Sequence, residues 1–217
     1  MIEFLQNLDT DVFLALHHLR IAILDPYVRA FSGKGVWIPL YLSIVYAIIR
    51  QCGWKRGLIM VAAIGVAVGC SDAICAHVIR PAVERLRPSH PDNPISALVQ
   101  LVDGYRGGGR HGFPSCHATN TFALAVASGL TLHNRLYTTF IFLWAVLQCY
   151  SRIYLGVHYP GDVLVGATVG AINGMLAIAL MHLWLKKDPE ATPNSTILVP
   201  VAVGIATFAF IAVKAYI

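Results

Sequence analysis

Residues 58–79 read LIMVAAIGVAVGCSDAICAHVI, a run in which Asp72 is the only acidic residue and His77 the only basic one. The hydrocarbon core of a bilayer is roughly 30 Å thick and needs about 20 apolar residues of α-helix to cross it. Five further apolar segments approach that length, although two of them are short: 36–50, 114–132, 136–151, 162–185 and 197–216. The sequence therefore predicts an all-α fold, a polytopic bundle of six transmembrane helices.

The composition is that of a membrane protein rather than of a soluble domain. Of the 217 residues, 57% are hydrophobic and 12% are charged, whereas roughly a quarter of an ordinary globular chain is charged. The mean hydropathy of +0.64 points the same way. Such a composition excludes a secreted disulfide scaffold, a disordered chain and a typical nucleic-acid-binding protein.

The basic residues are clustered rather than spread over a polar face. The formal net charge is +5, and eleven of the sixteen Lys and Arg residues are arginines. Five of these arginines lie between Arg80 and Arg110. Because a guanidinium group binds phosphate or carboxylate oxygens in a bidentate manner, the cluster predicts an anion site and not a nucleic-acid surface.

The N-terminal segment, residues 1–35, differs from the apolar spans. Within residues 3–20 apolar side chains recur at helical spacing, and Glu3, Asp9 and Asp11 fill other positions. This pattern is typical of an amphipathic helix, which we expect to lie at the membrane interface or against the bundle. A seventh crossing is the alternative. We expect a single domain over 1–217, with a catalytic core at 58–185 and a last helix at 197–217.

Alternation of the six spans sorts the loops onto two faces. The short loops 50–57, 133–135 and 186–196 share one face, and the loops 80–113 and 152–161 share the other. The first face holds most of the short-loop basic residues, namely Arg50, Lys55, Arg56, Arg135, Lys186 and Lys187. Positive residues in short loops mark the cytoplasmic side, so the longer, arginine-bearing loops are expected to face the periplasm.

Three polar stretches converge on that outward face. They read RPAVERLRP at 80–88, PSCH at 114–117 and SRIYLGVHYPGD at 151–162. Three arginines in these stretches match the oxygens of a phosphoryl group, and a helix N-terminus at 115–117 also favours an anion. Asp162 follows His158 by four residues and is placed to fix the imidazole tautomer, which leaves the other nitrogen free to attack.

A metal site is the rival interpretation, since His117, His158 and Asp162 are competent ligands. Three neighbouring arginines would oppose a divalent cation. The sequence therefore predicts neither a metal nor a cofactor.

The three stretches together resemble the signature of the type 2 phosphatidic acid phosphatase superfamily. Its pattern is Lys-x6-Arg-Pro, then Pro-Ser-Gly-His, then Ser-Arg-x5-His-x3-Asp, and the resemblance covers residues 58–185. Arg80 stands where the family usually has Lys, and Cys116 replaces the usual Gly. The first change enlarges the cationic group, and the second adds a side chain where the backbone approaches phosphate.

The resemblance implies a covalent mechanism without a metal. His158 would attack phosphorus to form a phosphohistidine, Asp162 would orient it, and His117 would protonate the leaving oxygen. The side chains implied to hold the phosphoryl group are Arg80, Arg87, Ser115, Cys116 and Arg152.

Several residues stay outside this assignment. Arg106, Arg110 and His111 are expected either at the rim of the pocket or in a solvated loop. An ionisable group in an apolar span is costly, so Asp72 is expected to form a structural hydrogen bond to another span. The cysteines are expected to be small buried hydrophobes, namely Cys52, Cys70, Cys75, Cys116 and Cys149.

The functional expectation is an inner-membrane lipid phosphatase whose site faces the periplasm. The compact form without a soluble domain resembles bacterial lipid A phosphatases and undecaprenyl pyrophosphate phosphatases. Lipid A is favoured as substrate because only the loop 88–113 covers the site. The alternatives are undecaprenyl pyrophosphate, phosphatidylglycerol phosphate and phosphatidic acid, a lipid phosphotransferase, or a transporter or scaffold that binds anionic lipid. Membrane lipids are the expected surroundings, and no obligate protein partner is inferred.

Overall fold

The computed structural model describes residues 1–185 and 195–217, and these residues form helices and loops without a strand. This confirms the all-α expectation. The expected basic turn at Lys186 and Lys187 lies outside the described residues. The helices are α1 (Ile2–His18), α2 (Asp25–Phe31), α3 (Ile38–Cys52), α4 (Trp54–Ala73), α5 (Arg80–Val83), α6 (Cys116–Leu132), α7 (Arg135–Tyr154), α8 (Pro160–Leu185) and α9 (Val199–Lys214).

Four helical segments of the described chain are long and apolar enough to cross a membrane, namely Gly35–Cys52, Trp54–Val83, Pro160–Leu185 and Ser195–Lys214. The sequence predicted six. The two remaining predicted spans correspond to α6 and α7. The first has 17 residues, which is short for a crossing, and the second carries the polar Ser151 and Arg152 in its last turn.

A stripe of glycines on α8 sets the position of the site. Gly166, Gly170 and Gly174 face α6, and a Cβ atom on any of them would collide with that helix. A Cβ on Gly166 would lie 2.5 Å from the carbonyl oxygen of Ser115, and one on Gly174 would lie 2.8 Å from the oxygen of Ala123. Small residues at this four-residue spacing let two helix backbones approach closely.

The same contacts show that α6 and α8 run parallel, since the contact positions advance together along both helices. Their N-termini therefore lie side by side, and the Ser115 N–H donates to the Asp162 carbonyl oxygen at 2.9 Å. In this way the second and third sequence motifs, almost fifty residues apart, come into direct contact.

The remaining core lies between α3, α6, α7 and α9 and is rich in aromatic side chains. Trp37 and Trp144 are almost fully buried and meet edge to face, with ring centroids 5.5 Å apart. Asp72 accepts a hydrogen bond from the Asn120 side-chain amide on α6 at 2.7 Å. This confirms the expected structural hydrogen bond to another span.

The cysteines depart from expectation. Cys75 and Cys116 form a disulfide, with their Cα atoms 5.7 Å apart, a separation within the usual range for a bridge. Cys52, Cys70 and Cys149 are free, and of these only Cys149 is buried. The prediction of buried cysteines is confirmed for Cys75 and Cys149 and was wrong for Cys52, Cys70 and Cys116, and the bridge between Cys75 and Cys116 was not predicted. The sequence offered no pairing signal because folding, not spacing, brings the C-terminal end of the α4 segment against the start of α6.

The α8 glycine stripe predicts a sharp difference between two identical substitutions. Gly170→Ala should destabilise the protein by about 1–3 kcal/mol, since the added methyl group overpacks the α6–α8 contact. Gly69→Ala on α4 is the matched control, because a Cβ there meets nothing within 4 Å. Thermal unfolding in detergent measures both, and equal melting temperatures for the two variants would contradict this packing.

The disulfide predicts the number of reactive thiols. Alkylation of the denatured, unreduced protein should modify Cys52, Cys70 and Cys149 alone, and reduction should then release Cys75 and Cys116. Cys75→Ala should make Cys116 reactive without reductant. Intact mass and peptide mapping read out the labels, and complete labelling of the unreduced wild type would disprove the bridge.

Candidate active site

The polar side chains of the three motifs form one cluster, which we call the polar cluster. Arg87 belongs to it and is almost fully buried. Its Nη1 donates to the Val157 carbonyl oxygen at 3.0 Å, while its Nε and Nη2 donate to the carbonyl oxygens of Gly109 and Gly108 at 3.1 and 3.0 Å. Burial, followed by repulsion from other arginines of the cluster, lowers the pKa of Arg87 to about 10. The group is therefore still cationic at neutral pH.

Arg152, in the last turn of α7, is the second arginine of the polar cluster. Its Nη1 donates to Ser32 Oγ at 2.6 Å and its Nη2 donates to the Tyr105 hydroxyl at 3.2 Å. Its Nε is buried without a hydrogen-bond partner among the described residues. One N–H of this guanidinium thus remains free for an anionic ligand.

Arg80 follows a π-helical segment, Ile74–Ile79, at the C-terminal end of α4. Such segments are often found at functional sites. The Arg80 Nη2 donates to the Pro114 carbonyl oxygen at 3.1 Å and lies 3.0 Å from Cys116 Sγ. Its Nε is also buried without a partner among the described residues. The Cys75–Cys116 disulfide thus holds residues 114–117, at the start of α6, against Arg80.

His158 and Asp162 are the most deeply buried ionisable residues of the cluster, with 3% and 0% of their surface exposed. The Arg87 Nη1 donates to His158 Nε2 at 2.9 Å, so this nitrogen acts as an acceptor. His158 Nδ1 then carries the proton and faces Asp162 Oδ2 at 3.4 Å. The imidazole is therefore in the tautomer that presents an Nε2 lone pair towards the arginines.

The charge state of His158 follows from the same surroundings. Burial lowers the pKa of His158 well below its ordinary value, and the neighbouring Arg87, Arg152 and Arg80 lower it further. A neutral imidazole is nucleophilic, whereas an imidazolium is not. The site therefore keeps His158 in its reactive form at neutral pH.

Ser115 and His117 begin α6. Ser115 is the N-cap, and its Oγ accepts from the Ala118 N–H at 3.4 Å. His117 Nε2 donates to the Ser32 carbonyl oxygen at 3.0 Å. This contact leaves the other ring nitrogen, Nδ1, available for a second partner. Free N–H groups at a helix start add a favourable field for an anion.

The expected rim residues make contacts within or beside the 88–113 loop. Arg106 donates to the Ser89 carbonyl oxygen, and Arg110 forms a largely exposed ion pair with Asp92 at 3.2 Å. His111 forms an isolated bridge with Leu86. These side chains hold the 88–113 loop together, and the loop contributes the Gly108 and Gly109 carbonyls to Arg87.

Sequence reasoning missed three contributors to the site. Ser32 contacts Arg152 and His117 although it lies in an N-terminal segment without any motif. Tyr105 stands beside the glycines of the 88–113 loop, and its ring is also covered by the Arg29 guanidinium at 3.7 Å from the centroid. Arg85 lies inside the first motif and donates to Asp162 Oδ1 at 3.1 Å. Only the position of Arg85 between two motif arginines offered a signal.

Comparison with known proteins agrees with this geometry. The PAP2 superfamily model matches residues 56–188. A lipid A 4'-phosphatase of Bacteroides thetaiotaomicron is 42% identical over 193 residues, which cover 89% of this chain and 85% of that protein. A lipid A 4'-phosphatase of Porphyromonas gingivalis is 33% identical and covers 79% and 72%.

Two solved structures share the fold. The transmembrane PAP2-type phosphatidylglycerolphosphate phosphatase of Bacillus subtilis has a TM-score of 0.60 at 22% identity, covering 81% of this chain and 85% of that one. Aquifex aeolicus LpxE has a TM-score of 0.55 at 24% identity, covering 79% and 95%. The resemblance seen in the three motifs is thus confirmed over the whole helical core. The chain belongs to the PAP2 superfamily and is a membrane-embedded phosphoric ester hydrolase.

Proposed function

We propose that this protein is an inner-membrane phosphatase that removes the 4'-phosphate of lipid A at the periplasmic face. The observation that carries the chemistry is the neutral His158, whose Nε2 lone pair faces the buried guanidinium of Arg87 while Nδ1 faces Asp162. The choice of substrate is supported by two relatives that match most of the chain, both of them lipid A 4'-phosphatases.

In the first step His158 Nε2 attacks phosphorus, and the bond between phosphorus and the lipid oxygen breaks. His117 donates a proton to the departing oxygen, so that the lipid leaves as an alcohol. Asp162 stabilises the positive charge that develops on the imidazole. Water then attacks the phosphohistidine, His117 accepts the water proton, and inorganic phosphate is released.

The arginines act on the phosphoryl oxygens. Arg87 donates to His158 Nε2, and a bound phosphoryl group would compete for that donor and free the lone pair. The unpartnered Nε groups of Arg80 and Arg152 supply two further donors. Donors that are already oriented towards developing charge commonly make the largest contribution to catalysis.

An apolar cavity supports a substrate with hydrocarbon chains. It has a volume of about 400 Å³ and runs between α3, α4, α6 and α7. His117 and Lys34 line it near the active site, and its walls further along are formed by apolar side chains such as Ile44, Ile48 and Ile64. A phosphate at the site would thus place an attached acyl chain beside this cavity.

The proposed arrangement in the membrane uses six spans, with α6 and α7 as the fifth and sixth members beside the four long apolar helices. The outward orientation of the site rests on the short basic loops. We propose that α1 lies at the interface, because Phe4, Leu5 and Leu8 are exposed on one side while Phe13 and His17 are buried against the bundle. An exposed apolar face suits the boundary between lipid and water.

A panel of purified lipid phosphates tests the proposal. The protein should release phosphate from lipid A and leave a product that retains the 1-phosphate, as read by mass spectrometry. His158→Ala should lower this rate at least about a thousandfold, because it removes the nucleophile. His18→Ala, an exposed histidine on α1, is the matched control and should keep wild-type turnover.

The other outcomes are equally specific. Phosphate release from undecaprenyl pyrophosphate alone would assign the alternative substrate. Transfer of the phosphate to a lipid hydroxyl would identify a phosphotransferase. Unchanged turnover in His158→Ala would disprove the covalent mechanism.

The proposed mechanism also predicts how the enzyme responds to ions. Chelators should leave the rate unchanged, since the phosphoryl group is proposed to be held by arginines, whose charge opposes a divalent cation. Vanadate, a phosphate-like oxyanion, should inhibit competitively. Initial rates with and without EDTA provide the measurement, and activity that returns only on addition of a divalent cation would contradict the site.

A further inference from the structure

The N-terminal helix reaches the active site through one carboxylate. Asp9 on α1 accepts a hydrogen bond from the Gly161 N–H at 2.7 Å, at the second residue of α8. A Cβ on Gly161 would lie 2.7 Å from Asp9 Oδ2, so glycine is what permits this approach. The carboxylate thus caps the start of a helix to which it does not belong.

The second oxygen of Asp9 is bound by an arginine. The Arg85 Nη1 donates to Asp9 Oδ2 at 2.6 Å and also to Asp162 Oδ1 at 3.1 Å. The Arg85 guanidinium is held in place over the Tyr159 ring, 3.7 Å from its centroid. One guanidinium therefore bridges a carboxylate of the N-terminal helix and the carboxylate that faces His158.

The orientation of Asp162 depends on this bridge. Its Oδ2 accepts from the Tyr159 N–H at 3.0 Å and faces His158 Nδ1. Its Oδ1 is contacted by Arg85, and the residue is fully buried. Loss of Arg85 would leave one oxygen of a buried carboxylate without its charged partner, which is costly.

The charge of Asp9 also affects the net charge that Asp162 and Arg85 present to His158. Asp9, Arg85 and Asp162 together carry one net negative charge, which is available to the imidazolium that forms when His158 is phosphorylated. Without the charge of Asp9, Arg85 would neutralise Asp162 alone, and the cluster would carry no net charge. Asp9 thus leaves Asp162 effectively anionic towards His158.

We propose that Asp9 is a positioning residue of this phosphatase, which acts through Arg85 to orient Asp162 and preserve its negative charge. The N-terminal helix is then part of the active-site architecture and not only a membrane-surface element. This inference rests on the proposed role of His158 and Asp162 in phosphoryl transfer.

The test compares two acidic residues of the same helix in the full-length protein. Asp9→Asn should lower kcat about tenfold, the effect of roughly 1.4 kcal/mol on a barrier, with KM within about twofold. Asp11→Asn is the matched control, because Asp11 is exposed two residues further on, and it should keep wild-type kcat. Asp9→Glu should recover part of the lost rate, since it restores the charge.

A double-mutant cycle separates positioning from general destabilisation. In an Arg85→Gln background, Asp9→Asn should have little further effect on kcat, because the bridge is already broken. Gly161→Ala provides a second route, since its methyl group displaces the Asp9 carboxylate while every charge remains, and it should also lower kcat. Thermal unfolding of each variant reports on the fold, and a tenfold loss in a protein with wild-type melting behaviour supports the proposal.

Full kcat in both Asp9→Asn and Gly161→Ala would overturn the inference, as would equal losses in Asp9→Asn and Asp11→Asn or additive effects of Asp9 and Arg85. Should Asp9→Asn fail to fold, Gly161→Ala and Asp9→Glu decide alone. His158→Ala distinguishes this failure from failure of the proposed function. An inactive His158→Ala beside a fully active Asp9→Asn refutes only the role of Asp9.

Discussion

The close contact between α6 and α8 is the constraint on which the site depends. Gly166, Gly170 and Gly174 remove the side chains that would keep the helices apart, and the parallel arrangement brings both helix N-termini to one place. Ser115 and Asp162 then meet through a backbone hydrogen bond. Because the start of a helix carries a partial positive charge, we expect their meeting point to favour an anion before any arginine is added.

We expect the arginines to make this site selective for a strongly charged ligand. Arg87 and Arg152 are buried to nearly the same extent, and burying like charges together is unfavourable unless hydrogen bonds and an anion offset it. Backbone carbonyls of the 88–113 loop and the hydroxyls of Ser32 and Tyr105 supply part of that compensation. A dianionic phosphoryl group is suited to supply the rest.

Segments outside the three motifs hold the motif residues in place. The Cys75–Cys116 disulfide ties the 114–117 loop to the end of the α4 segment that carries Arg80. Ser32 links the N-terminal segment to Arg152 and His117, and Asp9 links α1 to Arg85. In the proposed mechanism the motifs supply the reactive groups, and these supporting contacts fix their distances, to which phosphoryl transfer is sensitive.

The sequence by itself determined the membrane class, the all-α fold, the superfamily and the residues of the three motifs, because hydrophobic run length and motif spacing are local properties of the chain. Arg85 was visible only as a charge between two motif arginines. The Cys75–Cys116 bridge, the contributions of Ser32 and Tyr105, and the reach of Asp9 into the site were decided by tertiary structure. Each joins residues far apart in the chain, so their proximity follows from how whole helices pack and not from any pattern near the residues themselves. For Asp9 the approach also requires the absence of a side chain at Gly161.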